Sequence, residues 1–217
     1  MREKQLNRYV LTDELYTLLK QQIMSHKIPA GDKINIDKLA RDLGVSNIPI
    51  RESLFRLASE GLVTVVPFKG MFVAEMNLTD INEIFEIRLQ LEELSIRKAA
   101  PHIPRARLEQ ILQRLSSVQE EGDGTDGSQV VLEMNRDLHG TILDYAGNEN
   151  LKQMVTSLIE RIHRYLSLVH YQIVLDVEKA EHEQIIRALL ADDIEQAVEA
   201  MRTHVNNSVQ RLRERLK

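Results

Sequence analysis

The chain has 217 residues, of which 43% are hydrophobic, 28% charged and only 4% aromatic, with no Trp and no Cys. That composition suits a globular protein with an aliphatic core, excludes disulfides and fits a reducing, cytoplasmic setting. A net charge of −5 argues against non-specific coating of nucleic acid, and no apolar run reaches the roughly 20 residues of a membrane span or forms a signal peptide.

The first helical pattern runs from Thr12 to Ser25, with Leu11, Leu15, Leu18, Leu19 and Ile23 on one face. Thr12-Asp13-Glu14 suits its N-terminus, where a capping hydroxyl and acidic groups offset the helix dipole. Turn chemistry over Lys27–Asp32 ends it. A short helix, Ile36 to Leu43, stops at Gly44, and Ser46 caps a third that runs to Glu60. The β-rich runs Leu62–Val66 and Met71–Ala74 flank Pro67-Phe68-Lys69-Gly70 and predict a hairpin.

After Met76 the texture changes to helix throughout, with six segments expected near 79–100, 104–120, 129–146, 148–171, 174–191 and 192–216. The glycine-rich stretch 121–128 is the one low-complexity segment and predicts a flexible loop. The expected fold is therefore mostly α: a winged helix-turn-helix over 1–76, then an all-α six-helix bundle over 77–217. Charge divides at the same place. Residues 1–76 hold 11 Lys and Arg against 9 Asp and Glu, whereas 77–217 hold 17 against 24. The acidity belongs to the second part, which leaves the first able to present a local basic surface.

In a winged helix-turn-helix the third helix enters the major groove with its first turn toward the bases. Ile50, Leu54, Leu57 and Ala58 would pin that helix to its core, leaving Ser46, Asn47 and Arg51 outward. Arg51 can clamp guanine O6 and N7 or a phosphate, and Ser46 with the free N–H groups of the first turn suits phosphate. Lys69 and Gly70, at the hairpin tip, offer a long cation and an unhindered backbone to the minor groove. The bland alternative for Arg51 is a solvated surface arginine.

Of seven histidines, His26, His102, His163 and His170 show no grouping. Asn135 and His139 stand four apart on one helix, and His182 and His204 lie within the last two. Antiparallel helices of a bundle can bring such side chains to one internal point, and imidazoles plus an oxygen donor suit Zn²⁺ or Ni²⁺. Read from spacing alone, Arg88 is a surface partner for Glu92, four residues on. A metalloenzyme is the rival reading of this half. It lacks repeated Glu-x-x-His pairs, a zinc-peptidase His-Glu-x-x-His, a nucleophile elbow and a phosphate loop.

The segments Ile28-Pro29-Ala30-Gly31-Asp32, Leu39-Ala40-Arg41-Asp42-Leu43-Gly44-Val45-Ser46, Pro49-Ile50-Arg51-Glu52-Ser53-Leu54 and Glu60-Gly61-Leu62-Val63 resemble the DNA-binding domain of GntR-family bacterial regulators. Residues 79–216 resemble the helical FCD domain of that family's FadR-like branch, in its VanR-type six-helix form. The runs that carry this are Ile84-Phe85-Glu86-Ile87-Arg88-Leu89-Gln90-Leu91-Glu92, Asn135-Arg136-Asp137-Leu138-His139, Tyr145-Ala146-Gly147-Asn148, Glu181-His182-Glu183-Gln184-Ile185 and Ala200-Met201-Arg202-Thr203-His204-Val205.

The resemblance implies a homodimeric, ligand-responsive transcription regulator, in most members a repressor, that binds double-stranded operator DNA. Operator contacts would come from Arg51, Ser46 and the wing tip, with Lys38 beside them. It also implies a divalent metal held by His139, His182 and His204, zinc first with nickel or manganese as alternatives, and a small carboxylate effector near Arg88. Four positions depart from the pattern. Asn47 and Ile48 stand where Arg and Thr are usual, and Asp37 stands where a basic residue is frequent. Asn favours adenine N6/N7, and Ile offers only apolar contact, for example with a thymine methyl. Asn135 likewise replaces the family's Asp, a neutral carbonyl in place of a carboxylate ligand.

Overall fold

The computed structural model describes residues 2–117, 127–168 and 175–215. Contacts divide the chain into two compact units, Met1–Asn77 and Leu78–Lys217.

The first unit holds α1 (Arg2–Met24), α2 (Ile36–Leu43), α3 (Asn47–Ser59), β1 (Val63–Val66) and β2 (Gly70–Val73). The strands are antiparallel, with Val63 opposite Val73 and Val66 opposite Gly70. Lys33 bridges to Phe72, which ties the segment before α2 to the hairpin. Leu15, Leu19 and Ile23 of α1, Ile50, Leu54 and Leu57 of α3, and Leu62, Met71 and Val73 of the hairpin form one buried core. The alternation of inward Met71 and Val73 with outer residues is the period-2 pattern of a strand with one covered face.

α1 starts at Arg2, well before Thr12. Residues 2–11 contain no Gly or Pro, so nothing in their propensity stops the helix from extending toward the N-terminus. Thr12 is then a buried interior residue. Its hydroxyl donates to Glu52 at 3.3 Å, and its carbonyl accepts the Ser53 hydroxyl at 2.9 Å, so it fastens α1 to α3 rather than capping α1. α2 is capped by Asn35, whose side chain accepts from the Lys38 N–H at 2.9 Å, and ends at Gly44 with φ 66°.

Ser46 occupies the cap position of α3 in extended conformation, but its side chain makes no capping bond. Part of the reason lies three residues on. A capping oxygen takes its hydrogen from the second or third helical N–H, and Pro49 at the third position leaves only that of Ile48.

The second unit comprises α4 (Leu78–Ala99), α5 (Arg105–Ser117), α6 (Gly127–Asn135), a π-helical turn (Arg136–Gly140), α7 (Thr141–Tyr145), α8 (Glu149–Leu168), α9 (Leu175–Leu190) and α10 (Ile194–Arg215). α10 packs against α9 and α4, α4 also against α8 and α7, and α5 against α9. Ile84, Phe85, Ile96, Leu138, Ile142, Ile185, Met201 and Leu212 fill the interior between them. The helix expected over 129–146 is thus three pieces joined through a wide turn. The loop expected over 121–128 lies outside the described residues except for Gly127 and Ser128, which open α6. Among the described residues no helix is long and apolar enough to cross a membrane.

A solvent-facing recognition surface and a buried histidine centre

In the first unit Ile50, Leu54 and Leu57 are fully buried, which fixes the opposite face of α3 outward. Arg51, Ser46 and Ile48 lie on that exposed face, with Ile48 55% exposed, and Asn47 is half-buried. Asn47 Nδ2 donates to Asp37 Oδ1 at 2.7 Å. One amide hydrogen and the carbonyl oxygen of Asn47 remain for another partner. Lys38 is exposed on α2, with its Nζ 3.5 Å from Asp42. Lys69 is exposed at the hairpin tip beside Gly70, whose φ is 119°.

An open groove of about 750 Å³ separates α3 from the hairpin, lined by Lys33, Asp37, Arg51, Phe55, Phe68 and Lys69 among others. Phe68, at φ 63°, projects fully into solvent at the tip. Lys33, Phe55 and Phe68 escaped the sequence reading. The exposed side chains of a helix and a hairpin tip follow no apolar period, so no pattern singled them out.

In the second unit the π-helical turn carries His139, α9 carries His182 and α10 carries His204. All three are buried, and their ring centroids lie 5.4, 5.3 and 4.7 Å apart. One nitrogen from each can be chosen so that the three lie within 4.8 Å of one another, a spacing that admits a shared ion.

The rest of the hydrogen bonding is one-sided. His139 Nδ1 lies 2.6 Å from Glu92 Oε2, and His204 Nδ1 lies 2.9 Å from Glu181 Oε2. His139 Nε2 and both nitrogens of His182 are buried with no hydrogen-bond partner, as are Asn135 Oδ1 and Arg88 Nη2. Orphaned buried nitrogens and oxygens are rare in folded proteins and mark places where a further partner belongs. Five of them around one point fit an ion with an anion beside it. Arg88, Asn135 and His204 also share the wall of a cavity of about 20 Å³, room for one water or one ion.

Arg88 is paired with Glu92, Nε to Oε1 at 2.7 Å, but not at the surface: it is 3% exposed. The surface version of its pairing with Glu92 is therefore corrected. α4 turns this face inward because Phe85, Ile81 and Ile84 share it.

Electrostatics favour neutral imidazoles at His139 and His182. Burial lowers the His182 pKa well below the ordinary value, and neighbouring His204 and His139 push it further down. Burial also lowers His139, against the pull of Glu92. For Glu92, burial pushes the carboxyl up, but His139 and Arg88 outweigh it and keep it ionised. With the imidazole neutral, Arg88 supplies the compensating cation. Glu181 is held at about 2, because hydrogen bonds from Arg211, His204 and Asn207 overcome its burial. Neutral imidazoles with free lone pairs are the form that ligates a metal.

The structure brings together Arg88, Asn135, His139, His182 and His204. The sequence reading missed Glu92 as a buried partner of His139, and gave Glu181 and Arg211 no role. Glu181 stands beside His182 in sequence, and it lies close enough to His204 for the hydrogen bond above. That contact crosses from α9 to α10, and no spacing along one chain reveals it.

A winged helix-turn-helix joined to an all-helical unit with a buried polar centre is the architecture of a DNA-binding transcriptional regulator. Comparison with known proteins agrees. Residues 11–73 match the model of the bacterial regulatory proteins of the gntR family, and residues 83–207 match the FCD domain. The chain belongs to this family, as a GntR regulator with an FCD domain. The Nta operon transcriptional regulator of Aminobacter aminovorans is 30% identical over 171 residues, covering 78% of each chain. The HTH-type transcriptional repressor GlaR of Escherichia coli is 28% identical over 208 residues, 88% of this chain and 90% of that protein. The solved structure of Escherichia coli McbR/YncC matches with a TM-score of 0.75 at 25% identity, covering 95% of this chain and 99% of that one. These relatives are regulators, and the metalloenzyme alternative is set aside.

Proposed function

We propose that the chain is a cytoplasmic, homodimeric repressor whose hold on operator DNA is set by a small carboxylate bound beside a metal ion. The observation that carries this is the set of orphaned polar atoms around one point: His139 Nε2, His182 Nδ1 and Nε2, Asn135 Oδ1 and Arg88 Nη2. His139, His182 and His204 would ligate the ion, with Asn135 as a neutral oxygen donor. Three imidazoles and an amide oxygen suit Zn²⁺ first and Ni²⁺ next. Mn²⁺ prefers carboxylate and water oxygens, which this set lacks. The ion supplies a Lewis-acid position for an anionic oxygen.

Arg88 offers the effector its unpartnered Nη2 while Nε stays on Glu92. A carboxylate held between a guanidinium and a metal meets two complementary charges. The present cavity, about 20 Å³, is smaller than any organic acid. Effector entry therefore requires its apolar wall, Phe85, Ile162 and Leu212 among it, to part. That movement is a difference between two states which a ligand can bias.

On the DNA side, Arg51 would read a base or phosphate. Ser46, its hydroxyl free of capping duty, Lys38 and the Lys69-Gly70 tip would hold the backbone, and Asn47 and Ile48 would set preference. Two regulators of opposed sign would share this geometry, and the repressor named among the relatives favours repression. Elemental analysis of the purified chain against a His139→Ala, His182→Ala double variant tests the metal. About one zinc per parent chain and none in the variant is expected, and equal contents would remove the site. Arg51→Ala should cost specific DNA binding about 1–3 kcal/mol in anisotropy titrations.

A further inference from the structure

We propose that Glu92 and Glu181 are positioning residues for the metal centre, each tying down the Nδ1 hydrogen of one histidine so that its Nε2 lone pair faces the ion. The inference rests on the three-histidine reading above. A carboxylate only accepts hydrogen bonds, so a neutral imidazole held against one must keep its single hydrogen on the nitrogen in contact. At His139 that nitrogen is Nδ1, 2.6 Å from Glu92 Oε2. At His204 it is Nδ1, 2.9 Å from Glu181 Oε2. Both rings are thereby fixed in one tautomer and one orientation before any ion arrives.

Each carboxylate is itself anchored. Glu92 gives its other oxygen, Oε1, to Arg88 Nε at 2.7 Å. Glu181 accepts from Arg211 Nη1 and Asn207 Nδ2 at Oε1, both at 2.8 Å, and from Arg211 Nη2 at Oε2, also at 2.8 Å. Two relays result, Arg88–Glu92–His139 and Arg211–Glu181–His204. They supply buried negative charge close to the ion, where the direct ligands, three imidazoles and an amide, supply none. His182 has no such support: neither ring nitrogen has a partner. It is the arm whose tautomer the ion itself selects.

The relays make a specific chemical demand at Glu92, whose two oxygens serve two donors on different elements. A glutamine there has one oxygen and one amide N–H₂. If the oxygen faces His139, the amide opposes the Arg88 N–H. If the amide faces His139, it donates to Nδ1 and drives the hydrogen to Nε2, the nitrogen that has to ligate. Glu178 is the built-in control. It accepts from Arg211 Nη2 at 2.7 Å but lies 3.9 Å from His204 Nδ1.

The test uses the full chain labelled with [15N]histidine, stripped of metal, and read by long-range 15N–1H correlation, together with zinc affinity from competition with a chromophoric chelator. In the parent, His139 and His204 should show hydrogen on Nδ1. Glu92→Gln should move the His139 signals away from that tautomer and leave those of His204 in place. It should also weaken zinc binding by roughly 10–100-fold. Glu181→Gln should do the converse, and Glu178→Gln should leave both tautomers unchanged. The parent spectrum needs no variant to fold. Hydrogen on Nε2 of either ring in the parent overturns the inference while leaving the metal reading intact. So does unchanged zinc affinity in a folded Glu92→Gln protein. A parent that binds no zinc overturns both.

Discussion

Asn135 brings an amide to a position where the family resemblance implies a carboxylate, and its oxygen is buried beside Arg88 and His204 without a partner. A neutral donor can complete a coordination sphere but returns no charge to a divalent cation. In the proposed metal site the negative charge would then be set back on Glu92 and Glu181, with Glu178 on the cavity wall. Asn135→Asp should therefore tighten zinc by about tenfold, ~1.4 kcal/mol, in chelator competition at neutral pH; looser binding would show that Asn135 does not reach the ion. Arg88 carries the larger structural debt. Removing it as Arg88→Ala strands the Glu92 charge in a fully buried site and should cost about 3–5 kcal/mol of stability. A urea midpoint unchanged from the parent would show that water reaches Glu92.

The hairpin of the first unit depends on Gly70. Its φ of 119° is open to glycine alone among common residues, and an added Cβ would meet Lys33 Cε at 3.1 Å. Lys33 can swing aside, but the backbone strain stays. Gly70→Ala should cost about 1–3 kcal/mol and weaken DNA binding, with zinc affinity unchanged; equal loss of both would mean that the variant unfolds the whole chain.

At this level the sequence was readable where periodicity and punctuation agree. The limits of α2, the buried face of α3 and the hairpin all follow from apolar spacing together with Gly44, Gly61 and the Pro67–Gly70 tip. It was not readable where a single residue changes the geometry. Pro49 removes one of the two N–H groups that Ser46 could cap, and the π-helical turn at 136–140 leaves no mark on an apolar period of 3.6. The three histidines stood out through the family resemblance, since helical placement alone does not separate them from His163 on α8. Their carboxylate partners did not, since those contacts depend on how helices pack against one another.

For the second unit as a whole, the buried imidazoles make the metal-free protein sensitive to acid. The ordinary histidine value is 6.5, and His139 and His182 fall below it in the fold. Below pH 6.5 the unfolded chain thus takes up protons that the folded chain refuses, so stability falls as pH drops. Glu181 adds a second loss, beginning below the ordinary carboxyl value of 4.5 and ending near its folded value of about 2. The urea midpoint in EDTA should fall between pH 7.5 and 5.5, and His182→Leu should flatten that slope. A midpoint that rises on acidification would contradict neutral buried histidines.

In the proposed mechanism, a carboxylate bound at the histidine centre changes the grip of the winged helix on DNA. The direct measurement is fluorescence anisotropy on a duplex selected by the protein from random sequence, titrated with zinc-loaded and EDTA-treated protein against mono-, di- and tricarboxylates. At least one carboxylate should shift the affinity of the zinc-loaded protein by roughly 5–150-fold, with the shift lost in EDTA and in His182→Ala. Failure to select any duplex, or an affinity that no carboxylate moves in the zinc-loaded protein, would contradict it.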